Sequence, residues 1–136
     1  PLVGVPLLKI DQPMADKAVN LGRRIGVVAT ATVTLKPTSE LIATRARVAG
    51  KQVQVETVFC EGAHQLMLAG HMDRHDELVL GYLRRAMQNY DVVVLAQGSM
   101  ARVAEQIPEA ERRVPILSSP RLGMEYARDV IMQLPA

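Results

Sequence analysis

Two short polar corners hold the residues of this chain best suited to chemistry. Gln97-Gly98-Ser99 follows the apolar run 92–96, and Thr30-Ala31-Thr32 follows the run 24–29. A carboxamide, three hydroxyls and a small glycine can hold an anion by hydrogen bonds, but none of them moves a proton near neutral pH. In α/β proteins ligands sit outside the carboxyl ends of parallel strands, so two such corners point to one shared pocket. Gly98 lets the backbone come close to a ligand, and a helix starting after Ser99 would turn its free N–H groups the same way. The plainer reading makes Ser99 an N-cap, Gln97 a solvated loop residue and the threonines local turn donors.

The remaining candidates are weaker. Cys60 follows a strand and can face the ligand side, although a buried free cysteine is usually an inert small hydrophobe. His64 stands one helical turn beyond it. His71 and His75 are four apart, yet His71-Met-Asp-Arg-His75 lacks the glutamate that the zinc-protease pattern places after its first histidine. That segment reads as an N-terminal helix turn with Asp73 and Asp76 as caps, and no metal site is expected. Ser118 and Ser119 can close the pocket from a last strand, with Ser119 before Pro120 better explained as an N-cap. Phosphate-binding glycine patterns, a serine nucleophile elbow and paired catalytic carboxylates are not visible in the sequence.

Elements to position these residues follow from the hydrophobic pattern. Strands are expected over 3–8, 24–29, 52–59, 92–96 and 115–117. The 52–59 segment alternates polar and apolar residues, as an edge strand does. Helices are expected from Asp11 (with Pro13 in the first turn) to Gly22, from Pro37 to Gly50, over 62–69, 74–90 and 100–106, and from Ser119 to the C-terminal end. The 74–90 helix keeps Leu78, Val79, Tyr82, Leu83, Ala86, Met87 and Tyr90 at 3.6-residue spacing. Strands and helices alternate, which implies right-handed crossovers and an α/β fold: a parallel sheet with helices on both faces.

Composition narrows the function classes. The 136 residues are 49% hydrophobic but only 3% aromatic, so the core must be aliphatic and stacking platforms for nucleic acid are excluded. A net charge of +2, from 16 basic and 14 acidic residues spread along the chain, leaves at most weak attraction to small anions. No apolar run approaches the ~20 residues that span a bilayer. The single cysteine cannot form an internal disulfide. The opening residues lack a signal-peptide pattern, and a soluble cytoplasmic protein without nucleic-acid or membrane partners is the expectation.

Taken in order, three segments resemble one family. Gly26-Val-Val-Ala-Thr30-Ala-Thr32 resembles the middle motif of the aspartate/glutamate/hydantoin racemase superfamily. Asp91-Val-Val-Val-Leu-Ala-Gln97-Gly-Ser99-Met resembles its late motif, and Val114-Pro-Ile-Leu-Ser-Ser the segment that follows. The resemblance implies one lobe of a two-lobe racemase-like architecture, in three parts. Residues 1–22 would be the last strand and helix of an incomplete first lobe, 23–119 the second α/β lobe, and 120–136 a C-terminal helix returning to the first lobe. It implies cofactor-independent chemistry, without pyridoxal phosphate or metal, on a small amino acid or carboxylic acid. In this family two cysteines flank the substrate's α-carbon, one removing the proton and the other returning it on the opposite face.

This chain departs from that pattern at two places. The early cysteine has no counterpart, and Gln97 holds the late cysteine's position while Ser99 holds that of the following histidine. No catalytic residue is therefore assigned; Thr30, Thr32, Gln97, Gly98 and Ser99 are expected to hold the substrate's carboxylate. The alternatives are a decarboxylase or isomerase of the same superfamily using one thiol, or a non-catalytic binder of an anionic metabolite. A half-protein exposing the apolar face of an absent lobe is expected to form a homo-oligomer.

Overall fold

A computed structural model describes residues 4–118 of the chain. The elements run α1 (Gly4–Leu21), β1 (Arg24–Ala29), α2 (Leu35–Val48), β2 (Gln54–Phe59), α3 (Ala63–Leu68), α4 (Met72–Asn89), β3 (Val92–Leu95), α5 (Gly98–Ala104) and β4 (Ile116–Leu117). Single 3-10 turns stand at Thr32–Thr34 and Glu109–Glu111. The four strands pair in the order β2-β1-β3-β4, all parallel. The fold is α/β, as the alternation of elements predicts.

The central strands read as unbroken apolar runs because both their faces are covered. On one face Ile25, Val27, Ala29, Val92, Val94 and Ala96 pack against Met14, Ala15, Ala18 and Val19 of α1 and Leu35, Ile42 and Ala46 of α2. On the other, Val28, Val93 and Leu95 pack against Val79, Leu83, Ala86 and Met87 of α4 and Met100, Val103 and Ala104 of α5. Each fully buried Val or Leu contributes about 1.5–3 kcal/mol, so these two layers dominate the stability. The edge strand β2 is partly exposed along its length, which explains its mixed sequence.

The strand order places a switch point between β1 and β3. After β1 the chain turns to α2 on one face; after β3 it turns to α5 on the other. Connections that diverge in this way mark the place, outside the carboxyl ends of the strands, where open α/β sheets bind ligands.

The expected strand over 3–8 does not form, because Gly4–Leu21 is one helix. A six-residue apolar run fits a short strand or a helical stripe equally well by pattern alone. Pro13 consequently stands inside α1 rather than in its first turn, where its ring removes one backbone donor. The expected last helix, Ser119 and the 120–136 segment lie outside the described residues. Among the described residues no helix is long and apolar enough to cross a membrane.

Candidate functional site

The two polar corners meet, and Gln97 is the residue that joins them. Its side-chain oxygen Oε1 accepts the backbone N–H of Thr30 at 2.6 Å, that of Ala31 at 3.0 Å and the Thr30 hydroxyl at 2.8 Å. Two of these donors are backbone N–H groups, which fixes the amide's orientation: an NH2 group there would face N–H with N–H. Below the corner the strands are already in register, with Val28 opposite Leu95. The Ala96 N–H continues the ladder to the Val28 carbonyl at 3.0 Å.

Anchoring the oxygen fixes the other end of the amide. Among the described residues Gln97 Nε2 has no hydrogen-bond partner, and no buried side-chain nitrogen or oxygen lacks one. Nε2 therefore reaches the surface, presenting two N–H groups whose direction is set by three bonds on the far side. Thr30 itself is 5% exposed and fully engaged with Gln97. Thr32 is exposed and opens the 3-10 turn, which Thr34 holds by donating its hydroxyl to the Ala31 carbonyl at 3.1 Å. Gly98 and Ser99 are the first residues of α5, a helix of seven residues whose N-cap position is Gln97. The reading of Gln97 as a solvated loop residue is thereby replaced: it is half-buried and is the link between two strands.

Cys60 is fully buried in the layer under α4. Burial pushes its thiol up to about 12, against a smaller opposing effect from the Arg85 charge. It is a neutral, inert thiol at physiological pH.

A second cluster lies between α4 and α5, which both begin at the carboxyl end of the sheet. His75, in the first turn of α4, is 2% exposed. Its Nδ1 is 2.8 Å from Asp76 Oδ1. Arg102 of α5 donates to both oxygens of Asp76, Nη1 at 3.0 Å and Nη2 at 2.8 Å, and Gln106 Nε2 adds a longer bond at 3.4 Å. Hydrogen bonding from Arg102 first, with smaller help from His75 and Gln106 and against the cost of burial, lowers the Asp76 carboxyl to about 2. The sequence pattern predicts Asp76 as a helix cap, but α4 starts at Met72 without a side-chain cap and Asp76 bonds to the neighbouring helix instead. One signal for His75 is present in the sequence. Residues 75, 79, 83 and 86 form a single buried stripe, and a histidine on such a stripe needs a partner.

Two hollows lie away from this corner. One of about 800 Å³, lined in part by Arg23, Arg24, Lys51 and Gln54, is at the amino ends of β1 and β2; another of about 700 Å³ is bounded by residues 109–116. Lys51 there donates to Asn20 at 2.6 Å near the carboxyl ends of α1 and α2, where a cation offsets the helix dipoles. Among the described residues no group of three or more His, Cys, Asp or Glu side chains is placed to hold a metal ion.

Comparison with known proteins agrees with the motifs at these corners. No curated protein and no solved structure matches the chain. The family model described as Asp/Glu/Hydantoin racemase matches residues 1–127, a span that includes both polar corners and nearly the whole sequence. The chain belongs to the Asp/Glu/hydantoin racemase family.

Proposed function

We propose that the switch point between β1 and β3 binds a small amino acid or carboxylic acid and promotes transfer of its α-proton without a cofactor. Family membership supports a racemase- or isomerase-type function in general. The observation that carries the finer reading is the anchored Gln97: its oxygen takes three donors, leaving its NH2 as an aimed donor at the switch point. Removing an α-proton moves negative charge onto the carboxylate as an enediolate, and fixed donors stabilise that charge more than they stabilise the ground state. In this reading Gln97 Nε2, the Gly98 backbone, Ser99 and Thr32 hold the carboxylate, and Thr30 acts by holding Gln97. Neither Gln97 nor the neutral Cys60 supplies a base. The test is α-proton exchange, followed by NMR in deuterated water over a panel that includes aspartate, glutamate, alanine and malonate. Exchange with at least one acid is expected, reduced on Gln97→Ala. If every acid in the panel is inert, the chain has no proton-transfer activity and the reading fails.

A further inference from the structure

We infer that the hollow at the amino ends of β1 and β2 is a second binding site, which takes a small anion of the phosphate class. It stands apart from the site proposed above. Arg24 begins β1 and Ala29 ends it, so the hollow and the Gln97 corner are about 17 Å apart along the strand.

The hollow measures about 800 Å³, within the range of small-ligand sites. Arg23, Arg24 and Lys51 line it, and no aspartate or glutamate does. Among the described residues none of these three cations is in an ion pair, whereas Lys36, Arg45, Arg84 and Arg102 each pair with a carboxylate. Arg24 has its guanidinium carbon 5.8 Å from the centre of the Tyr90 ring, and Lys51 gives one hydrogen bond to the neutral Asn20 amide. An ammonium has three donors and a guanidinium five, so most of this donor capacity is unspent. Gln52 and Gln54 add neutral amides to the lining.

The backbone that carries these side chains is fixed. Asp91 Oδ2 accepts the N–H groups of Arg23 and Arg24, and the Arg23 carbonyl accepts the Gln54 N–H at 2.6 Å. At the end of α2, Gly50 takes a φ of 68°, and the Lys51 N–H reaches the Ala46 carbonyl at 2.9 Å. The opposing charge is smaller. The carboxyl ends of α1 and α2 carry about half a negative charge each, and Asp91 does not line the hollow. Three whole positive charges outweigh them. Donors arriving from two separate loops need an acceptor with oxygens in several directions, which a phosphate has and a lone carboxylate lacks.

The experiment titrates the chain with pyrophosphate at pH 7 and low ionic strength, following the backbone amides by 15N NMR. Saturable shifts are expected at Arg23, Arg24 and Lys51, and not at Thr30 or Ala31. Arg23→Ala and Lys51→Ala should each weaken binding about tenfold, the worth of one charged hydrogen bond. Lys36→Ala removes an equal charge from an exposed position on α2 and should leave binding nearly unchanged. Acetate at the same concentration should not reproduce the shifts. The inference is overturned by the absence of saturable shifts at the three residues in the wild type, a result that needs no variant to fold. Equal weakening by all three substitutions overturns it too, since that marks attraction to net charge alone, as does an acetate response matching that of pyrophosphate. A chain that exchanges no α-proton removes the reading at Gln97 and leaves this one standing.

Discussion

Asp91 and Gln97 bracket strand β3 and perform the same task at its two ends. Asp91 Oδ2 accepts the backbone N–H groups of Arg23 and Arg24, each at 3.1 Å, where β1 begins. Gln97 Oε1 accepts those of Thr30 and Ala31 where β1 ends. A side-chain oxygen beside β3 thus takes two successive donors from the neighbouring strand at each end. The lower link is exposed and the upper one is half-buried, so the upper one matters more to stability and to the site.

Replacing Gln97 with Ala should cost about 1–3 kcal/mol, the penalty for leaving buried donors unpaired. Gln97→Glu should be much better tolerated, since a carboxylate accepts the same donors as charge-assisted bonds. Those donors would depress the new carboxyl, so the benefit should be present above about pH 4 and be lost as pH falls. Thermal unfolding of both variants at pH 7 and pH 3 checks the pair; a Gln97→Glu variant no steadier at pH 7 than at pH 3 contradicts it.

Acid stability should carry the signature of Asp76. Its folded carboxyl lies at about 2, below the ordinary value of 3.8, so its contribution is complete above about pH 4 and disappears as pH falls toward 2. With the side chain 17% exposed, the amount is on the order of 1–2 kcal/mol. Asp76→Asn should flatten urea-derived stability between pH 4 and 2.5 relative to wild type. Parallel pH curves for the two proteins would show that Asp76 is not the linked group.

Cys60 should resist alkylation. A thiol raised to about 12 and fully buried offers almost no thiolate at pH 8, so iodoacetamide should label it only when urea opens the fold. The raised value also has a stability consequence of definite sign. The folded state's preference for the neutral thiol is costless below the unfolded value of about 9, and stability is lost as pH rises from there toward 12. Rapid labelling of the native protein at the rate of a free thiol would contradict the burial.

Gly26 should not accept a side chain. A Cβ there would lie 2.5 Å from the Tyr90 ring, which crosses β1 to donate its hydroxyl to Glu56 at 2.7 Å on β2. Gly26→Ala should cost on the order of 1–3 kcal/mol by displacing the ring, and Tyr90→Phe about 1 kcal/mol by losing the hydrogen bond. Combining Gly26→Ala with Tyr90→Ala should cost less than the sum of the two singles, because the clash vanishes with the ring. Strict additivity in denaturant titrations would show that the two positions do not meet.

Local pattern is enough to read the central strands and α4. The 25–29 and 92–96 runs have no polar interruption because two helical layers cover them, and the α4 stripe has the helical period. The 3–8 run misleads because a short apolar run has no period of its own. The tie from Gln97 to Thr30 is invisible in the sequence for a different reason: it joins residues 67 apart, and nothing in either tripeptide says which polar atom will satisfy the other. The His75 cluster has half its signal in the sequence. The buried stripe extends to His75, but Asp76 finds Arg102 across 26 positions.

That same separation bears on how the protein assembles. Contacts between residues far apart in the chain close only after the intervening chain, here α2, β2, α3 and α4, has collapsed between them. The link between the Gln97 and Thr30 corners is therefore expected among the last features to form on refolding and among the first to open under mild denaturant. Ligand affinity should fade at urea concentrations where the helical signal is still intact.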